Sequence, residues 1–487
     1  MIVNSLGFLL FFTVVFIVYY LPVSRGNSKF QNSWLFLSSY VFYGFADWKM
    51  IPLLLGATVV FYALGLWLKR AIKRQNAKAA SALTTLGIVL GVCILLYFKY
   101  LNFFAESFAN LLSAIGLGVT WTTLHIVLPI GVSFFTFKLI SYIIEIHREH
   151  IEPCKDFIVF ASYIAFFPTI LSGPIDRPGH FIPQLKSVRK LDAEMLTRGG
   201  QQILWGMFKK MVIADNLMGI INSTWTISSM SGSTYVLAAL LYPVQLYADF
   251  SGYSDMAIGV GKMLGLKVAP NFKHPFFAKN IAEYWRRWHM TLTGWLTDYV
   301  FTPLNIAFRN LQKTGIILAT IINFVLIGFW HGANWTYGLF GLYHGLLFIP
   351  LILNPDWGKR RKIKTGKFDL PVFADAVRMG TTYLLVAIGL VLFKADTVGS
   401  AWSYFALMGQ PSFFSLPKFI GMDNAVFLIV FPIIIASLIV DWRNRAKECP
   451  LFFENSHGWK AVLSYALIVA AIYFLGAESS SFIYFKF

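Results

Sequence analysis

The sequence predicts an all-α polytopic membrane protein. Three observations carry that reading. Of 487 residues, 57% are hydrophobic and only 13% are charged, where a soluble domain carries roughly 25%. Uncharged apolar runs recur from one end of the chain to the other. Short clusters of lysine and arginine separate those runs, as in cytoplasmic membrane loops. That placement explains the net charge of +18 without nucleic acid, which the reading excludes as a partner. Cys93, Cys154 and Cys449 are scattered, with neither metal-ligand spacing nor a disulfide framework.

The runs are taken in order. Residues 6–21 read as a retained first span, since no basic stretch precedes them and no Ala-x-Ala site follows. Residues 33–48 are short and end in aromatics suited to an interface. Residues 51–68, 82–98 and 157–175 follow, with 128–144 interrupted by Lys138. Further on come 234–248, 315–330, 332–355, 379–393, 424–440 and 461–477. A crossing helix needs about 20 residues, so the expected number of spans is about ten to twelve.

Basic residues set the orientation. Lys69, Arg70, Lys73, Arg74 and Lys78 form one cluster. Lys359, Arg360, Arg361, Lys362, Lys364 and Lys367 form a second, and Arg443, Arg445 and Lys447 a third. Placing all three in the cytoplasm puts the N-terminus outside, with Arg25 and Lys29 also inside. Residues 176–210 and 271–298 are too polar to cross. Such stretches reach membrane depth only where protein buries them or they line a wet cavity. Both read as re-entrant or surface-lying helices at the floor of a central funnel. The whole of 1–487 is expected to form one integral-membrane domain. No internal repeat supports a transporter for a small anion or lipid, the reading from a different class.

Three constellations carry candidate chemistry. His331, in Phe329-Trp330-His331-Gly332, stands where two uncharged runs meet. It reads either as a cap on a helix end or as chemistry inside the membrane, where ionisable groups usually have a function. Asn334, three residues on, can share a helical face with it. His289 follows Trp285-Arg286-Arg287-Trp288, which reads either as an interfacial belt or as part of a site. Asp298 can orient His289 or pair with Arg286 or Arg287. Asp249 and Asp255, in Tyr247-Ala248-Asp249-Phe250-Ser251-Gly252-Tyr253-Ser254-Asp255, can serve as acid and base, bind a cation, or pair with Lys262. Structural pairing is favoured, because buried carboxylates are usually partnered. His125, His147, His150, His180, His274, His344 and His457 lack a convincing neighbourhood, although His344 lies close enough to His331 in sequence to watch.

The chain resembles the membrane-bound O-acyltransferases, and within them the bacterial branch of alginate O-acetylation proteins. The matching stretches are Asn4-Ser5-Leu6-Gly7-Phe8, Leu128-Pro129-Ile130-Gly131-Val132-Ser133-Phe134-Phe135-Thr136-Phe137, Phe167-Pro168 and Ser172-Gly173-Pro174-Ile175. They continue with the Tyr247–Ala257 stretch, Trp285-Arg286-Arg287-Trp288-His289-Met290-Thr291-Leu292 and Trp330-His331-Gly332-Ala333-Asn334-Trp335. The likeness is strongest over 128–345. It implies that His331 is the catalytic base and His289 the second characteristic histidine. It also implies a ring of transmembrane helices around a thinned, funnelled centre, in a bacterial inner membrane.

The activity so implied is transfer of an acyl group, expected to be acetyl, to a cell-surface or exported polysaccharide. The donor is a cytoplasmic thioester, either acetyl-CoA or an acyl carrier protein, with no bound cofactor and no metal. A base must deprotonate the acceptor hydroxyl, and the developing oxyanion needs a donor, which a protonated histidine or an asparagine such as Asn334 can supply. Trp288 and Trp330 flank the two histidines as supporting candidates. Arg177, Lys186, Arg189 and Lys190 are expected to form a basic surface that attracts the anionic donor. A periplasmic or extracellular acetyltransferase, or the polysaccharide itself, is the expected partner. Transfer of D-alanine from a carrier protein to teichoic acid is the alternative, and both histidines serve it equally.

Overall fold

Long apolar segments can satisfy their backbone groups in hydrocarbon only as helices or closed barrels. Helices are the solution here. The computed structural model describes residues 3–22, 26–117, 126–227, 229–359, 362–417, 424–453, 458–477 and 482. Arg25, His125, Arg360, Arg361 and His457 lie outside the described residues. Among those described there is no β-strand. Five stretches are long and apolar enough to cross a bilayer: Ser28–Lys73, Ala77–Ala114, Arg309–His331, Trp335–Leu353 and Phe373–Lys394. Two shorter apolar helices, Leu6–Tyr19 and Trp459–Leu475, accompany them. The protein is a multi-pass helical membrane protein.

The chain divides into two compact units. The first comprises Met1–Gly200 with Ala257–Ala269. Its helices are α1 (Leu6–Tyr19), α2 (Ser28–Asp47), α3 (Ile51–Lys73), α4 (Ala77–Leu95), α5 (Leu101–Ala114), α6 (Val132–His147), α7 (Phe157–Ala165), α8 (Phe167–Ile170) and α9 (Pro178–Lys186). Side-chain caps start several of them, with Ser5 accepting from the Phe8 amide, Asn27 from Phe30 and Asn76 from Ala79. Arg70 and Lys73 close α3, where its carbonyl dipoles favour cations. Lys138 interrupts an apolar run without breaking α6. Its ammonium is buried and donates to the Tyr163 carbonyl and to Thr169 Oγ1 at 3.2 and 3.1 Å.

The second unit comprises Gln201–Met256 and Pro270–Phe487. It begins partway along α10 (Ala193–Phe208). A π-helical turn, Lys209–Ala214, leads into α11 (Asp215–Thr226). Most of α12 (Gly232–Met263) follows, and its remaining residues belong to the first unit. Two very short helices come next, α13 (Ile281–Trp285) and α14 (Met290–Leu296), then a second π-helical turn at Thr297–Phe301 and α15 (Thr302–Ala307). The polar stretch 271–298 thus holds only short helices, none long and apolar enough to cross a bilayer. The rest is α16 (Gln312–His331), α17 (Trp335–Leu347), α18 (Ile349–Leu353), α19 (Pro355–Gly358), α20 (Phe373–Lys394), α21 (Val398–Met408), α22 (Asn424–Arg443) and α23 (Trp459–Leu475).

The hairpin of α16 and α17 holds the Trp330-His331-Gly332 sequence at its tip. Close approach of the two helices depends on glycine. A Cβ on Gly328 would stand 2.0 Å from the Tyr337 carbonyl oxygen, and one on Gly341 would stand 2.2 Å from that of Phe324. Small residues permit this contact between helices in lipid, where apolar burial gives no drive to associate. At the far end of the second unit two basic loops meet. Arg445 grips Asp369 with two bonds of 2.5 and 2.6 Å, and the Trp442 indole donates to the Asp369 carbonyl. The segments that carry Lys367 and Arg443 thus meet through Asp369.

Candidate active site

The site is built by a backbone that the sequence makes irregular. Asn280 caps α13 by accepting from the Glu283 amide, and Glu283 pairs with Arg287 at 2.5 Å. The chain then turns through His289 with φ 44° and ψ 51°, a left-handed conformation. For a residue with a Cβ that costs roughly 1–2 kcal/mol. Cross-links to residues 271–273 hold it. Met290 N donates to the Asn271 carbonyl, Thr291 Oγ1 to Asn271 Oδ1, and Lys273 N to the Arg287 carbonyl. Backbone strain fixed in this way is typical of functional positions.

Tertiary folding brings that histidine to the tip of the α16–α17 hairpin. The rings of His289 and His331 lie 6.3 Å apart between centroids. Both are buried, at 0% and 2% exposure. Trp330 stands edge-on to His289 at 5.4 Å and to His331 at 5.0 Å. Phe250 covers His289 from α12 at 4.7 Å, and Phe393 covers His331 from α20 at 5.0 Å. Burial pushes the His289 imidazole down to about 3, so it is neutral at physiological pH. Trp288 is buried one layer behind, stacked on Tyr284 at 5.5 Å and edge-on to Phe272 at 5.0 Å.

A cavity of about 540 Å³ runs along α16, lined by Met290 next to His289 in sequence and by Ile327 one turn before His331, though by neither histidine. Ile327, Phe348 and Trp285 supply apolar walls, while Arg286, Asp298 and Asn323 supply polar atoms. Asn323 is buried, and its Oδ1 has no hydrogen-bond partner among the described residues. Among those residues, no three His, Cys, Asp or Glu side chains gather as metal ligands would.

Several expectations change. Asn334 does not share a helical face with His331, because α16 ends at His331 and Gly332 is extended. The Asn334 side chain instead caps α17, accepting from Thr336 N and donating to the Asp396 carbonyl at 2.7 Å. Asp298 is exposed and shares the cavity wall with Arg286. Arg189 is no surface cation. It is 5% exposed and donates to Tyr19 Oη, Asn32 Oδ1 and the Leu185 and Ser187 carbonyls. Lys186 and Lys190 are exposed and Arg177 is half-buried.

Asp249 and Asp255 are partnered, as favoured from sequence, but by Lys209 and Lys210 rather than Lys262. Seven residues of helix rise about 10 Å, too far for Asp255 to meet Lys262. Lys210 Nζ bridges Asp215 Oδ1 and Asp249 Oδ1, each at 2.7 Å. Lys209 Nζ meets Asp255 Oδ2 at 2.5 Å and Ser251 Oγ at 2.8 Å, and Gln202 donates to Asp255 Oδ1 at 2.9 Å. The π-helical turn that presents both lysines was not legible in the sequence. The Lys209-Lys210 doublet five residues before Asp215 was its one available signal.

A sequence profile of the membrane-bound O-acyltransferase family matches residues 78–353. The chain belongs to that family. This acyltransferase is 32% identical over 507 aligned residues to a probable alginate O-acetylase, AlgI, of Pseudomonas putida, covering all of both chains. It is 35% identical to the probable alginate O-acetylase AlgI of Pseudomonas aeruginosa, over 90% of this chain and 81% of the other. A peptidoglycan O-acetyltransferase of Helicobacter pylori is 33% identical over 69% of each chain. The acyltransferase thus has full-length relatives, and its two predicted histidines meet in space.

Proposed function

We propose that this acyltransferase moves an acetyl group from a cytoplasmic thioester, acetyl-CoA or an acyl carrier protein, for O-acylation of a cell-surface or exported polysaccharide. The observation that carries the reading is the buried His289–His331 pair at the hairpin tip. The names of its relatives point to acetyl and to polysaccharide. His331 is the base. It takes the proton of an acceptor hydroxyl while that oxygen attacks the thioester carbonyl carbon. The tetrahedral intermediate collapses, the carbon–sulfur bond breaks, and the thiolate leaves with the proton from the imidazolium. His289, neutral, presents an N–H toward the developing oxyanion and takes over the part expected of Asn334. Lys186, Lys190 and Arg177 remain the candidate donor-attracting cations.

The test is transfer by purified protein with an acceptor polysaccharide. Acetyl thioester should be consumed with release of free thiol, whereas D-alanyl carrier protein should be inert. Consumption of the D-alanyl carrier alone would move the reading to teichoic acid.

The reading also places the N-terminus outside and the basic loops in the cytoplasm of a bacterial inner membrane. Single cysteines at Lys73→Cys and Lys362→Cys, with the native cysteines removed, should resist an impermeant thiol reagent in intact cells and react after lysis. Labelling of both from outside reverses the orientation and moves the donor to the wrong side.

A further inference from the structure

A third histidine lies beside the pair. His344, on α17, is 1% exposed, and its Nδ1 accepts from the Trp285 indole N–H at 3.3 Å. An indole nitrogen only donates, so Nδ1 carries the lone pair and Nε2 carries the proton. Nε2 faces Gly389 of α20, where a Cβ would stand 2.8 Å from it. That nitrogen has no hydrogen-bond partner among the described residues. A buried donor left unpaired costs about 1–3 kcal/mol, so phenylalanine or leucine would fill this space at lower cost. What neither could supply is the acceptor for Trp285.

The bond fixes an indole with two consequences. Trp285 forms part of the wall of the 540 Å³ cavity, packed against Phe324 of α16 at 5.2 Å. It is also the last residue of α13, four before the left-handed His289. The imidazole that holds it cannot swing away. Phe340 at 4.7 Å, Trp285 at 5.1 Å and Tyr343 at 5.3 Å enclose the ring. Phe340 also touches His331, at 6.3 Å. His344 therefore reaches one histidine through Phe340 and the other through α13.

We infer that His344 is a positioning residue: its Nδ1 anchors Trp285, and through Trp285 both the cavity wall and the segment that presents His289. The inference rests on the reading of His289 and His331 as the reacting pair. Small misplacement of a reacting group can cost about a hundredfold in rate. The anchor should therefore show in catalysis as well as in the bond.

The experiment uses the full chain, purified in detergent and labelled with 5-fluorotryptophan. The Trp285 fluorine resonance is assigned by its loss in Trp285→Phe. His344→Leu removes the acceptor, whereas His344→Asn keeps an oxygen where Nδ1 stands. The resonance should shift in His344→Leu and return toward its original position in His344→Asn. His344→Leu and Trp285→Phe should each lower kcat/KM by about tenfold, the double variant should be no worse than either, and His344→Asn should recover most of the loss. Should His344→Leu fail to fold, His344→Phe, which also lacks the acceptor, takes its place in both measurements. An unmoved resonance overturns the anchor. A moved resonance with wild-type kcat/KM, or losses that multiply in the double variant, overturns its role in catalysis. The resonance does not depend on turnover. A His331→Ala protein that kept its activity would therefore sink the catalytic reading and leave the Trp285 anchor measurable.

Discussion

Replacing His331 with alanine should lower acyl transfer by about 10²–10⁴-fold, the usual contribution of a general base. The residue ends α16, is 2% exposed, and lies 6.3 Å from His289 between aromatic rings. Its ring packs against Trp330, Phe340 and Phe393, and the protein should still be extracted, bind thioester and unfold near its usual temperature. His331→Gln should be equally slow, because an amide cannot take the proton. The loss should fall on kcat. The measurement is single-turnover transfer by purified variants whose donor binding has been checked first. Either variant retaining wild-type turnover would make His331 a packing residue and move the base to His289.

Replacing Lys210 with methionine should be the most damaging change to stability. Its ammonium is the counter-charge for Asp215 and Asp249, whose side chains are 1% and 0% exposed. Removing it leaves two buried carboxylates without that partner. Breaking such a pair from one side costs about 3–5 kcal/mol, whereas removing the whole set can be near neutral. Lys210→Met should therefore lose most of the folded protein in detergent, seen as an early aggregation peak and a lower unfolding temperature. Adding Asp215→Asn and Asp249→Asn should restore much of the folded fraction. Activity should recover less than folding does, since Asp249 adjoins Phe250, which covers His289. If Lys210→Met unfolds within a few degrees of wild type, the network is not what holds α11 and α12 together.

The tests separate two parts of the molecule that the sequence mixes together. The Tyr247–Asp255 motif carries two carboxylates and could have belonged to an acid–base site. Lys209 and Lys210 neutralise it instead, with a π-helical turn presenting both side chains to α12. The histidines, by contrast, are packed among the rings of Phe250, Trp330 and Phe393. On the proposed reading, the charged network serves assembly and the aromatic pocket serves the chemistry.

Composition and lysine–arginine placement determined the class of this protein, because hydrocarbon admits only long apolar helices and leaves charges at their ends. Local patterns also determined that 271–298 could not cross, and that His289 and His331 belonged to family motifs. Their meeting could not be read from the chain. They are 42 positions apart, and only the left-handed turn at His289, tied down by Asn271, directs one ring toward the other. The same limit applies to Asn334, where sequence spacing assumed a continuous helix and Gly332 ends it. It applies to Arg189 as well, because a basic residue among polar neighbours looks exposed until Tyr19 and Asn32 close over it. Sequence period reports what a helix face carries. Which faces meet, and which charges they bury, depends on contacts between distant segments, and only the tertiary structure decided those.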